Sequence, residues 1–392
     1  MSVAGETRVQ ESAELLSSLV SIPSMNPAFM ADGSGGEAGM AKFVEAQLQD
    51  LGMETQQHEV LPGRPNVFGR LRVPNSKGML LFECHMDTVG IDTWGPEAIE
   101  PRLEGTTLHG RGSCDAKGCL TGMILALREL AKRPEELDYD IGLLGVVDEE
   151  YRFRGIEGFI TQGIQVTAAV IGEPTKLELV TATKGAVRFT LQTKGRPAHS
   201  SQPEKGNNAI YQMVEVIQHL RNTLDPRFAA RSHPLVGYPT WATGIIHGGH
   251  AANVIPETCE IVVDRRIIPG ETSEGSIREF EEAMEELAAT KPDMHPSVAS
   301  RDLADWPLDT AEDEPIVQAA MRALQANDLP PEPQGVTYGT DASKLQVKQD
   351  VPCIVYGPGD IGYAHTDHEH IDLTEVVQSA DVYAQIAREF RP

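Results

Sequence analysis

Hydrophobic and polar positions change period several times along this chain, and the changes mark out its elements. Apolar residues recur at helical spacing through 7–19 (Val9, Leu15, Leu16, Leu19), through 39–51 (Met40, Phe43, Val44, Leu48) and from Leu120 through Met123, Ile124 and Leu127 to Leu130. Each stretch predicts a helix that buries one stripe. The first stops before Ile22-Pro23-Ser24-Met25-Asn26-Pro27, whose prolines exclude helix. Short apolar runs at 67–71, 79–84 and 168–171, and the run from Ile141 to Val147, predict buried strands. Strand and helix alternate, so the expected fold is α/β: a mostly parallel sheet with helices on both faces.

The grammar changes near residue 183. Strand 185–193, helix 207–220, strands 240–247 and 259–268, helix 274–289 and strand 295–300 follow the order β-α-β-β-α-β, the ferredoxin-like split unit. The first pattern returns in helix 316–324, strand 353–356 and helix 373–390. The expected organisation is therefore a catalytic domain in two parts, 1–181 and 305–392, interrupted by an inserted α+β domain at 182–304.

Candidate chemistry gathers where the predicted strands end, the usual place for a site in an α/β sheet. The run from Ile141 ends in Asp148-Glu149-Glu150; neighbouring side chains on a strand point to opposite sides, so Glu149 and Glu150 are expected to take different jobs, one toward a cation and the other toward a reacting water. The strand at 79–84 runs into His85-Met86-Asp87, where Asp87 can reach the ring of His85 and fix its tautomer. The strand at 168–171 runs into Gly172-Glu173-Pro174-Thr175. Strand 353–356 leads to a tract with His365, His368 and His370, of which one or two can face a single site. Carboxylates after one strand are ordinary loop residues; successive strand ends that each deliver a ligand type are not. The glycine-rich loop 110–118 resembles a phosphate cradle, but it lacks the P-loop spacing and Asp115 would repel a phosphate.

Composition narrows the partners. With 392 residues and a formal net charge of -25, the chain repels nucleic acid and anionic membranes, and neither is expected as a partner. No apolar run reaches the roughly 18 residues of a spanning helix, and the start is polar, so a cytoplasmic location is expected. Cys84, Cys114, Cys119, Cys259 and Cys353 have no zinc-ribbon or redox spacing and are expected to be apolar filling.

Taken together, these segments resemble the M20 family of zinc-dependent amidohydrolases and peptidases, the group of acetylornithine deacetylase, succinyl-diaminopimelate desuccinylase and aminoacylase. The resemblance covers nearly the whole chain, with Ala116 and Cys119 departing from the usual Asp-Met-Lys-Gly-Gly. It implies a zinc-exopeptidase-like catalytic domain, and an inserted domain that serves as lid and dimerisation unit. It also implies two Zn2+ ions, with Co2+ or Mn2+ as alternatives. His85, Asp115, Glu150, Glu173 and His365 are then the metal ligands, Asp115 bridging and followed by a cis peptide. Glu149 is the general base, Asp87 the orienting aspartate, and His199 the oxyanion donor, which in dimeric members comes from the partner subunit. Asn253 and Arg266 hold a substrate carboxylate, and Thr340 lies in a further contact loop.

The expected reaction is cleavage of the amide bond in an N-acyl amino acid or short peptide by a cytoplasmic homodimer. Leu220-Arg221-Asn222, Gly244-Ile245-Ile246-His247-Gly248-Gly249 and Gly357-Pro358-Gly359 look closest to acetylornithine deacetylases of arginine biosynthesis. Desuccinylation, aminoacylase and carboxypeptidase or dipeptidase activity share the same site. A non-catalytic metal-binding relative would have no use for Glu149.

Overall fold

A computed structural model describes residues 3–391. The chain forms two compact units, one of Met1–Thr181, Thr310–Gln334 and Thr340–Pro392, the other of Ala182–Asp309 and Gly335–Gly339.

The first unit is built on a mixed sheet. Its strands lie in the order Glu54–Leu61, Arg64–Leu71, Asp140–Val146, Met79–His85, Ala168–Ile171 and Cys353–Val355, followed by Val180–Thr183 and Gln334–Val336, two strands within which the chain passes from the first unit's residues to the second's. The middle four run parallel, and Arg64–Leu71 and Val180–Thr183 flank them antiparallel. Every residue of Met79–His85, Asp140–Val146 and Ala168–Ile171 is buried. That is why these strands read as unbroken apolar runs: helices cover both faces and no side is left to be polar.

Helices Lys117–Leu130 and Leu373–Glu389 pack on this sheet through Leu120, Met123, Ile124, Val382 and Tyr383. They approach closely at Gly122, where an added Cβ would stand 2.4 Å from Ser379 Oγ. Lys117 is buried, and its ammonium donates to the carbonyls of Leu19 and Ile22 at 3.0 Å each. It thereby satisfies acceptors at and beyond the end of helix Val3–Ser21.

Sequence periodicity passed over several elements. Glu54–Leu61 pairs antiparallel with Arg64–Leu71, but its side chains are all at least partly exposed and carry no apolar alternation. A small sheet of Arg102–Glu104, Thr107–His109 and His370–Asp372 is built from strands too short to show a period. The segment after Val147, for which the pattern gives no element, is helical over Glu149–Arg152 and Arg154–Thr161.

The second unit has the sheet order Thr240–Gly248, Thr258–Ile267, Gly185–Lys194, Ser297–Ala304, antiparallel throughout. Counted along the unit this is fourth-first-third-second read from the other edge, the ferredoxin-like arrangement. Helices Ala209–Ala229 and Ser273–Thr290 bury Met213, Val216, Leu220, Ile277, Phe280 and Met284 against it.

Candidate metal centre

Parallel strands end on the same side of a sheet, and here those ends assemble a cluster of acids and imidazoles. The donor atoms of His85, Asp115 and Glu173 all lie within 4.8 Å of one another, as do those of Asp115, Glu150 and His365. Asp115 belongs to both groups and divides its oxygens between them. Its Oδ1 is 3.0 Å from His85 Nε2, and its Oδ2 is 3.2 Å from His365 Nε2. His365 Nε2 is also 3.0 Å from Glu150 Oε2.

The buried His85 ring holds its Nδ1 2.9 Å from the backbone oxygen of Asp87. A carbonyl only accepts, so Nδ1 carries the proton and Nε2 is left as a ligand atom. The tautomer is thus fixed by the main chain of Asp87, while its carboxylate stands 3.7 Å away from Nδ1. That carboxylate instead accepts from the N–H groups of Glu149 (3.1 Å) and Glu150 (3.3 Å) and from Asn26 Nδ2 (2.8 Å).

Glu149 and Glu150 do not lie on the strand. Asp148 adopts a left-handed conformation, φ 66°, and turns the chain into the short helix Glu149–Arg152. The Asp148 side chain is held by Arg154 (2.5 and 2.9 Å), Asn26 (3.0 Å) and Arg64 (3.3 Å), and its N–H donates to Glu37 at 3.2 Å. Burial opposes its charge, yet the bonds from Arg154 and Asn26 keep its carboxyl below the usual range. Glu37 and Arg64 form a buried bidentate pair at 2.6 Å.

The donor set fits two divalent cations. Burial, with Glu173 beside it, pushes the Glu149 carboxyl well above its ordinary value, and burial likewise raises Glu173. Burial and Asp115 push Glu150 up to about 7. Such a concentration of buried and partly buried carboxylates is costly without positive charge. Mixed imidazole and carboxylate ligands, one carboxylate shared, are the donors that zinc and related metals take. Beneath them Glu83 is buried, its oxygens without hydrogen bonds, and burial and Asp341 raise its carboxyl strongly. The Asp115–Ala116 peptide is cis. His368 is exposed and His370 partly so, away from both donor groups.

The remaining site residues named from sequence fall elsewhere. Thr340, in the first unit, is fully buried, and its hydroxyl accepts from the Ala342 N–H at 3.3 Å rather than facing solvent. In the second unit His199 and Asn253 come together: Ser200 N–H donates to Asn253 O at 3.0 Å, and His199 bridges to Val254. The Ser201 N–H donates to His199 Nδ1 at 3.2 Å, so Nδ1 accepts and Nε2 is left as the ring's donor; the residue is exposed. Arg265 is buried against Glu271 and Glu279, with its guanidinium 4.0 Å from the Phe228 ring centroid. Arg266 is only half-buried and is paired with Asp264 at 2.7 Å. Asn26, Glu37, Arg64 and Arg154 were not picked out from sequence, because each works through a partner distant in the chain or through a fold-dependent turn.

Fold and site together define a metal-dependent amidohydrolase. The chain belongs to peptidase family M20/M25/M40, whose pattern matches residues 81–389. It is 31% identical, over 96% of this chain and 97% of the relative, to a protein named acetylornithine deacetylase from Pectobacterium carotovorum. In structure it resembles an aminopeptidase, PepT, from Bacillus cereus, with a TM-score of 0.77 and 21% identity over 97% of this chain and 98% of the other. It also resembles a dinuclear metal-binding M20 peptidase from Bacillus subtilis, with a TM-score of 0.74 and 14% identity over 98% of each chain.

Proposed function

We propose that this protein is a di-zinc hydrolase that removes the acyl group from an N-acyl amino acid, with N-acetylornithine as the first candidate substrate. The observation that carries the reading is the pair of donor groups sharing Asp115, with Glu149 beside them and outside both. The substrate class rests on the relatives named acetylornithine deacetylase, which match nearly end to end.

In this reading His85 and Glu173 complete one metal site, Glu150 and His365 the other, and Asp115 joins them. Divalent ions held there would supply Lewis acidity to the amide carbonyl and to the attacking water. Glu149 takes the proton of the attacking water and returns it to the leaving amine. Asp87 holds the amides of Glu149 and Glu150 and so fixes the turn that presents both. His199, with its proton on Nε2, donates to the oxyanion that develops at the carbonyl. Arg266 and Asn253 bind the substrate carboxylate, for which a guanidinium fork is suited, and Thr340 shapes the loop around it.

The reading includes a cytoplasmic homodimer. All five cysteines are free, as a reducing compartment keeps them, and no helix among the described residues is long and apolar enough to cross a membrane. Thr240–Gly248 is an edge strand with Ile245 and Ile246 about half exposed, a surface suited to a second copy.

The test is a hydrolysis panel of N-acetylornithine, other N-acyl amino acids, N-succinyl-diaminopimelate and dipeptides, run before and after chelation. Fastest turnover is expected on N-acetylornithine, abolished by chelator and restored by zinc or cobalt. Fastest turnover on a succinyl compound or a dipeptide replaces the substrate assignment; activity that survives complete removal of metal overturns the mechanism.

A further inference from the structure

The segment that brings His365 to the metal centre carries a buried acidic side chain that the chemistry above leaves unused. Glu369 is fully buried. Its Oε1 accepts from the N–H groups of Cys114 and Asp115, each at 3.0 Å, and its Oε2 from Arg111 Nη1 at 2.6 Å. Its own carbonyl accepts from the Gly110 N–H at 3.1 Å. Arg111 is buried in turn, with its guanidinium 5.5 Å from the Trp94 ring centroid and its N–H bonded to Ala98 O at 2.7 Å. One residue therefore ties down the loop 110–115: its carboxylate accepts from the Arg111 side chain and from two backbone amides, and its carbonyl from a third.

Stability is a poor account of this arrangement. Burying a carboxylate and a guanidinium costs much of what their attraction returns, and an apolar pair of similar volume often serves the fold as well or better. An apolar pair cannot, however, hold two backbone N–H groups in a set direction. The amide of Asp115 is one of the two held, and Asp115 is the residue whose two oxygens must face His85 and His365 at once.

We propose that Glu369, locked by Arg111, is the positioning residue for the shared ligand Asp115, so that metal affinity is set in part by a carboxylate that touches no metal. The effect falls mainly on the group of Asp115, Glu150 and His365. Two of its three ligands, Asp115 and His365, lie on segments that Glu369 joins, and the His365 side chain is 53% exposed with little else to hold it. In the group of His85, Asp115 and Glu173 all three are buried; His85 is the last residue of its strand and Glu173 stands two residues beyond the end of another. The inference rests on the two-metal reading.

The test uses the full chain, freed of metal and titrated with Co2+ by calorimetry and by its visible absorption. Wild type is compared with Glu369→Ala, Glu369→Gln and the double variant Glu369→Gln/Arg111→Met. Losing an outer partner of a ligand typically weakens metal binding by roughly 10- to 100-fold, and that loss is expected for the weaker ion in Glu369→Ala, with a smaller change for the tighter one. Gln keeps an acceptor for the two amides but turns its NH2 toward Arg111. The single Gln variant should therefore bind weakly, and removing the guanidinium should restore most of the affinity. A purely structural role would lower the thermal midpoint of the metal-free protein without this pattern. Wild type that takes up fewer than two ions overturns the two-metal reading itself. Wild type that takes up two, beside folded Ala or Gln variants that bind both ions equally well, overturns the role of Glu369. If the Ala variant does not fold, the two Gln variants decide the matter by the same criterion.

Discussion

At the scale of single residues, the division of labour at 148–150 is the sharpest feature. Asp148 is consumed by Arg154, Asn26 and Arg64, and Glu150 lies among ligand atoms, so Glu149 is the one acid of the three left to move a proton. Replacing it with Gln keeps the shape and removes the base. Glu149→Gln is expected to retain its metal and its fold while turnover falls by roughly 10²- to 10⁴-fold, the usual worth of general-base assistance. Metal analysis and steady-state rates on one preparation check this, and near-normal turnover would assign the base elsewhere. His85, Glu150 and Glu173 were legible as candidates because each follows an apolar run, whereas Asp115, and the choice of His365 within its histidine tract, rested on the family resemblance. The residues that hold them were not. Glu37 meets Arg64, and Glu369 meets Arg111, only after the chain has folded, and nothing in their local sequence distinguishes them from surface charges. Asp87 was legible as a partner of His85 by spacing, yet its main chain supplies that contact and its carboxylate serves the 149–150 turn.

At the scale of elements, the buried parallel strands and amphipathic helices were readable because burial leaves a period or an unbroken run. The turn that carries the site was not, since a left-handed residue followed by two short helices has no period to detect. Its geometry depends on Gly155, which packs against the backbone of Val147: the Gly155 N–H donates to Val147 O at 3.0 Å. An added Cβ would stand 2.2 Å from that oxygen and 2.6 Å from the Val147 nitrogen, so backbone must move. Asn66 braces the same place, accepting from Val147 N–H at 3.1 Å and donating to Gly155 O at 2.8 Å. Gly155→Ala is therefore expected to destabilise the protein by roughly 1–3 kcal/mol, as overpacking does, and to lower activity further by displacing Glu149 and Glu150. Denaturant unfolding and kinetics on the same variant measure the two effects. An unchanged unfolding midpoint with wild-type rates would mean that the turn has room the geometry does not display.

At the scale of the whole molecule, the chain divides its chemistry between two units: all five candidate ligands and Glu149 belong to the first, and His199, Asn253 and Arg266 to the second. Such a division makes the association of copies a catalytic question. If His199 serves the partner's metals in the proposed homodimer, as the family resemblance implies, each subunit alone is incomplete. Two inactive proteins, His199→Ala and Glu149→Gln, should then rescue one another. In a mixed dimer one site combines the Glu149 of the first variant with the His199 of the second and is whole; the other site lacks both. Random exchange between equal amounts makes half the dimers mixed with one of two sites intact, so about a quarter of wild-type activity is expected. Exchange is followed independently by native mass spectrometry of tagged and untagged chains. Activity that returns in step with mixed dimers supports the shared site. Complete exchange with no activity places His199 in service of its own chain, or outside the reaction altogether.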